Sequence, residues 1–165
     1  MTPLAPRAIG VAAAAALMLQ GCPSAYQRTF EEKTQQLEAA ERAQQQREAA
    51  ARAQAQKYAA VVYFPVGSAA IDDDGQRELR WFVQQMQPYP HATLNVQGFT
   101  DSTGSEAKNQ SLGDERAANV ARYLSSQGIE PSRIVTIGFG QTNAAGTNQT
   151  AQGRRNNRRV EVTVR

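Results

Sequence analysis

Large apolar residues are unevenly spread along this chain. Residues 26–57, "YQRTFEEKTQQLEAAERAQQQREAAARAQAQK", are dominated by Ala, Gln, Glu and Arg, with no Gly or Pro and almost no large apolar residue after Leu37. These are good helix formers, and Glu38–Arg42 is a favourable i,i+4 pair. The stretch therefore predicts a solvated helix with no stripe to set against a core. A sustained heptad is missing, and a weak coiled coil with a partner is the competing reading. Fully helical, the stretch reaches about 45 Å at 1.5 Å per residue.

From Ala59 the pattern changes. "AAVVYFPVG" is a short run rich in β-branched and aromatic residues and reads as a strand. "IDDDGQRELRWFVQQMQPYP" reads as a helix. An Asp within 72–74 caps it, Leu79, Phe82, Val83 and Met86 form its apolar face, and Pro88 and Pro90 stop it. "HATLNVQGF" sends Leu94, Val96 and Gly98 inward as a second strand. A long helix follows from about Ser105 to Gln127, ended by Gly128. "RIVTIGFG" is a third strand, "QTNAAGTNQTAQGRRNN" a long polar loop, and "RRVEVTVR" the last strand. Strand–helix–strand alternation implies parallel pairing within a two-layer α/β sandwich over residues 59–165.

The N-terminus adds an address. In "MTPLAPRAIGVAAAAALMLQG", Arg7 precedes a short apolar run that is too brief for a permanent membrane span, so residues 1–21 read as a secretory signal peptide. Cys22, the single cysteine, follows directly, and "LQGC" resembles the lipobox of bacterial lipoproteins. That resemblance implies that Cys22 becomes the lipidated first residue. Pro23, rather than Asp, comes next, which favours the outer membrane. Residues 22–58 then form the lipidated N-terminus and tether, with the domain facing the periplasm. The net charge of +3 lacks the basic excess of a dedicated nucleic-acid binder.

One helix position carries the chemistry. Leu112, Arg116, Val120 and Leu124 share a slowly drifting face, so Arg116 emerges from a partly apolar surface near the helix start. The macrodipole opposes a cation there, and burial demands an acceptor. Asp101, in the loop entering this helix, is the candidate acceptor, and Asn109 lies on the same face. Thr100, Ser102, Thr103 and Gly104 shape the loop. Two readings fit: a structural salt bridge between Asp101 and Arg116, or a clamp for a zwitterion. In a clamp the Arg fork takes a carboxylate and the Asp accepts from an ammonium. No metal-ligand cluster or recognisable nucleophile is evident, so the chain reads as a non-enzyme without a cofactor. His91 reads as a turn residue, and the basic "RRNNRR" as a solvated turn or a contact with an anionic wall.

The stretch Thr100-Asp101, Gly104, Asn109, Leu112-Gly113, Arg116-Ala117, Val120 and Leu124 resembles the OmpA-like peptidoglycan-binding domain. Asn157-Arg158-Arg159-Val160 and "VYF" at 62–64 extend the match over roughly residues 59–165. The resemblance implies a mixed sheet in the order β-α-β-α-β-β and non-covalent binding of the peptidoglycan stem peptide. In that family the Asp and Arg grip the free ammonium and carboxylate of diaminopimelate, roles that fall here on Asp101 and Arg116. Asn109, Thr103, Gly104 and Leu112 belong to the same matched pocket. An Arg of the last motif commonly closes the groove in that family, a role assigned here to Arg158, with Arg159 the alternative. The sequence departs at Pro65-Val66-Gly67, where peptidoglycan-associated lipoproteins often carry acidic residues. Linkage of outer membrane to wall follows as the implied function. The rival readings are a wall-anchoring accessory of a larger envelope machine, with further protein partners, and a peptidoglycan-cleaving enzyme.

Overall fold

The computed structural model describes residues 25–165. The expected signal peptide at 1–21 and the expected lipidation site, Cys22, lie outside the described residues. The chain divides into two compact units, Met1–Arg42 and Ala43–Arg165. In the first, the described residues are helical and exposed, as their composition predicts. They belong to α1 (Ala25–Ala55), where Arg42 donates to Glu38 at 3.2 Å. The last turn of α1 behaves differently. Ala55 is fully buried in the core cluster, and Arg52 Nε donates to the Arg165 carbonyl at 2.9 Å. The expectation that residues 26–57 make no core contact fails there, because a methyl group suffices to seal a core and leaves no mark in hydropathy.

In the second unit, β1 (Ala59–Tyr63), α2 (Asp73–Met86), β2 (Leu94–Phe99), α3 (Glu106–Ser126), β3 (Ile134–Gly140), α4 (Ala151–Asn157) and β4 (Arg159–Val164) follow in order. The sheet runs β1-β4-β2-β3. β2 and β3 pair in parallel, as a strand–helix–strand unit requires, but β4 lies antiparallel to both β1 and β2. β1 and β2 therefore run in the same direction but do not pair with each other, because β4 lies between them. Val160 and Val162 of β4 are fully buried, and β4 is hydrogen-bonded on both sides, to β1 and β2. The mixed two-layer fold is nonetheless the one expected. Leu79, Phe82 and Met86 of α2 meet Leu94 and Val96 of β2 and Val120 and Leu124 of α3 in one core. Each fully buried side chain of this size is worth about 1.5–3 kcal/mol.

Local signals set the helix ends. Asp72 caps α2 by accepting from Gly75 N at 2.8 Å, and Ser105 occupies the N-cap of α3. Gly128 follows α3 at φ +99°, the left-handed geometry that favours glycine. The polar stretch before β4 is more ordered than expected. It contains α4, capped by the Thr150 hydroxyl, which accepts from Gly153 N at 3.0 Å. The correction has a packing cause: a Cβ on Gly153 would lie 1.9 Å from the Thr147 carbonyl oxygen. The fully buried Asn157 also exchanges hydrogen bonds with Gly146 N and O. A third glycine contact positions the functional region. A Cβ on Gly98 would meet the Gly113 carbonyl at 2.0 Å, so α3 rides directly on β2 and carries Arg116 to the end of that strand.

Candidate functional site

Four segments converge at the carboxyl end of β2: the β1–α2 loop, the β2–α3 loop, the first turns of α3, and Arg158 between α4 and β4. They enclose a pocket of about 190 Å³ lined by Val66, Gly67, Thr100, Asp101, Thr103, Asn109, Leu112, Arg116 and Arg158. Six of the residues singled out in the sequence thus meet in one place. Gly104 does not line the pocket. It turns the loop instead, at φ +99°, a conformation that L side chains resist.

Asp101 and Arg116 are not partners, which overturns the direct salt bridge. Asp101 Oδ2 accepts from Arg158 Nη1 at 2.9 Å, and Oδ1 accepts from Thr103 N at 2.9 Å. Burial alone would raise its pKa. The hydrogen bond and charge of Arg158, with the bonds from Thr103, outweigh burial and hold the carboxyl below its ordinary value. Arg158 is itself fixed, because Nε donates to the Phe64 carbonyl at 3.0 Å and its own carbonyl accepts from Phe64 N at 2.9 Å.

Arg116 is fully buried and spends its fork on backbone. Nε donates to Ser68 O at 2.8 Å, Nη1 to Phe99 O at 2.8 Å and Nη2 to Pro65 O at 3.0 Å. Its guanidinium lies 5.1 Å from the centre of the Phe64 ring. Three of the five N–H donors of a guanidinium are thereby used. Burial, with the like charge of Arg158 adding to it, lowers the Arg116 pKa to about 10, while Asp101 and Glu115 oppose that shift. Arg116 therefore stays charged at neutral pH, braces the β1–α2 loop against the end of β2 and makes no ion pair with the described residues.

The remaining lining completes the site. Asn109 Nδ2 donates to Gln141 Oε1 at 2.9 Å, which ties α3 to the end of β3. Thr100 Oγ1 is buried without a hydrogen-bond partner among the described residues. Val66 stands at the rim, exposed despite its apolar side chain, where the sequence departs from the family pattern. Of the two arginines in the last motif, only Arg158 lines the pocket. Arg159 Cζ stacks 4.1 Å from the centre of the Phe99 ring and Nε pairs with Glu161 at 2.6 Å. Sequence reasoning missed Gln141 and the partly buried Asn148–Asn157 bond, since isolated amides in a polar loop carry no periodic signal. His91 is an exposed turn residue.

The pocket sets one carboxylate, Asp101, beside two guanidiniums, Arg116 and Arg158, at the end of a mixed sheet. Residues 63–158 match the model of the OmpA family, and the chain belongs to that family. It is 41% identical over 103 residues to the "Probable lipoprotein YiaD" of Escherichia coli K12, covering 62% of this chain and 47% of that one. It is 41% identical over 80 residues to the peptidoglycan-binding protein ArfA of Mycobacterium tuberculosis H37Rv, covering 48% and 24%. The chain thus spans about half or less of the length of these relatives. Among solved structures, the peptidoglycan-associated lipoprotein of Burkholderia pseudomallei superposes with a TM-score of 0.62 at 26% identity, over 64% of this chain and 90% of that one. The C-terminal domain of Helicobacter pylori MotB gives 0.59 at 28% identity, over 63% and 81%.

Proposed function

We propose that this protein binds peptidoglycan non-covalently, through the diaminopimelate of the stem peptide, and that lipidated Cys22 anchors it in the outer membrane. One observation carries the reading: Arg116 is a fully buried cation without a carboxylate partner among the described residues, at the wall of a pocket that also holds Asp101. A buried charge calls for a counter-charge, and a ligand carboxylate supplies it to the two unused N–H groups of Arg116. The ligand ammonium goes to Asp101, whose depressed pKa keeps it ionised. The free Thr100 hydroxyl is a further polar group for the same head. Similarity to a peptidoglycan-binding protein and to a peptidoglycan-associated lipoprotein supports this ligand class.

The arrangement performs binding and mechanical linkage, with no bond made or broken. α1 supplies reach between anchor and wall. The test is co-sedimentation of the purified chain with protein-free sacculi, followed by analysis of the muropeptides. Binding with the muropeptides intact is the expected result. Failure to sediment overturns the reading, and newly cleaved muropeptides replace it with an enzyme. For the anchor, Cys22→Ser is expected to release the protein from the membrane fraction, and an unmodified Cys22 thiol in the mature protein overturns that part.

A further inference from the structure

We infer that the first turns of α1 dock on the lipid surface through Tyr26, Phe30 and Leu37, so that the tether leaves its anchor inclined along the membrane instead of upright. The inference rests on the anchoring part of the reading above, lipidated Cys22, and adds an interaction surface to it. Tyr26, Phe30 and Leu37 are 78%, 65% and 60% exposed. At four- and seven-residue spacing they share one face of α1, and neither the pocket nor the core uses them. Arg28 and Gln35 fall on the opposite face. The borders of the stripe suit apolar surroundings. Thr29 Oγ1 donates to Tyr26 O at 2.9 Å and Thr34 Oγ1 to Phe30 O at 2.8 Å. Both flanking hydroxyls thus spend their donors inside the helix, and a paired polar group costs less to bring against hydrocarbon.

Chain length selects lipid as the occupant. Ala25 follows Cys22 by three residues, at most about 11 Å of extended chain. Acylation of Cys22 therefore holds Tyr26 and Phe30 close to the headgroups, where amphipathic aromatic side chains settle. On an upright helix Leu37 would stand about 17 Å above Tyr26 at 1.5 Å per residue, and inclination returns it to the surface. Lys33 lies on the same stripe. At a lipid surface its stem covers hydrocarbon while its ammonium reaches water, whereas a seam between two helices would bury the charge. The stripe also ends at Leu37, short of the three or four heptads that a coiled coil needs. Residues 25–42 hold three basic and four acidic side chains. They give no attraction to anionic lipid, so the apolar face carries the contact.

The experiment uses the acylated chain in vesicles of phosphatidylcholine and phosphatidylethanolamine, with or without phosphatidylglycerol. Acylation consumes the thiol of Cys22, the one cysteine of the chain, so a nitroxide goes to Lys33→Cys or Gln35→Cys alone. The label at 33 is expected to be open to lipid-soluble oxygen and closed to a water-soluble nickel complex, and the label at 35 the reverse. Salt and phosphatidylglycerol should leave that contrast unchanged. Tyr26→Gln, Phe30→Gln and Leu37→Gln together should abolish it without moving the melting temperature, because all three side chains are exposed. Equal nickel access at both positions shows an upright, solvated helix, and the inference falls while the anchor stands. A label at 33 closed to both reagents shows a protein partner, with spin–spin broadening marking a second copy, and also overturns it. A contrast that needs phosphatidylglycerol or vanishes in salt replaces the apolar face with charge. The mass of the N-terminal peptide is read on the same sample, and an unmodified Cys22 removes the anchor and the inference together.

Discussion

Arg158 Nη1 donates to Asp101 Oδ2 at 2.9 Å across 57 residues of sequence, and the pair joins the loop after β2 to the start of β4. Asp101→Ala therefore strips Arg158 of its carboxylate and removes the acceptor for a ligand ammonium. Truncating one member of a desolvated charged pair costs binding about 2–5 kcal/mol, which is at least roughly tenfold in affinity at about 1.4 kcal/mol per decade. Some loss of stability accompanies it. Melting temperature and sacculus binding, measured on the same sample, separate the two effects. A folded Asp101→Ala protein that sediments like wild type would remove Asp101 from the clamp.

Arg116 makes a different prediction from the one its sequence position suggests. Its three bonds to Pro65, Phe99 and Ser68 carbonyls make it a structural brace as well as a ligand group. Each buried carbonyl left unpaired costs about 1–3 kcal/mol. Arg116→Ala is thus expected to destabilise the domain by several kcal/mol in urea unfolding, more than Asp101→Ala does. Arg116→Lys keeps the charge but loses the planar fork and should recover only part of the loss. Equal stability of wild type and Arg116→Ala would refute the brace.

The Asp101 carboxyl also sets a pH dependence. Its folded pKa lies below the ordinary 3.8. Its contribution to stability is therefore complete above the ordinary value and is lost as pH falls through the lower, folded one. The gap in melting temperature between wild type and Asp101→Asn should be constant near neutrality and close below pH 3.8. A gap that widens on acidification would show the opposite shift.

Two deletions test where α1 ceases to be solvated. Removing residues 25–42, which are exposed throughout, should leave the unfolding midpoint of the remainder unchanged. Extending the deletion to residue 57 removes the buried Ala55 and the Arg52 bond to the last carbonyl. The midpoint should then fall. Equal midpoints for the two deletions would show that the final turn contributes nothing to the core.

Periodicity determined most of the elements. The face of α2 at Leu79, Phe82, Val83 and Met86 and the inward set Leu94, Val96 and Gly98 are buried as their spacing implies, because one apolar face needs only local geometry to be recognised. The motif residues also placed the pocket, since Asp101, Asn109 and Arg116 are carried by one strand–loop–helix segment. What tertiary structure alone decided was the pairing. β4 enters between β1 and β2, and that insertion, together with the turn of α4, brings Arg158 to Asp101. Arg116, lifted by the Gly98–Gly113 contact onto the end of β2, meets carbonyls instead. Hydrogen bonds to backbone carbonyls depend on where the chain passes and leave no trace in residue type. The charge partner of Asp101 was therefore fixed by the order of strands in the sheet, which the spacing between Asp101 and Arg116 does not contain.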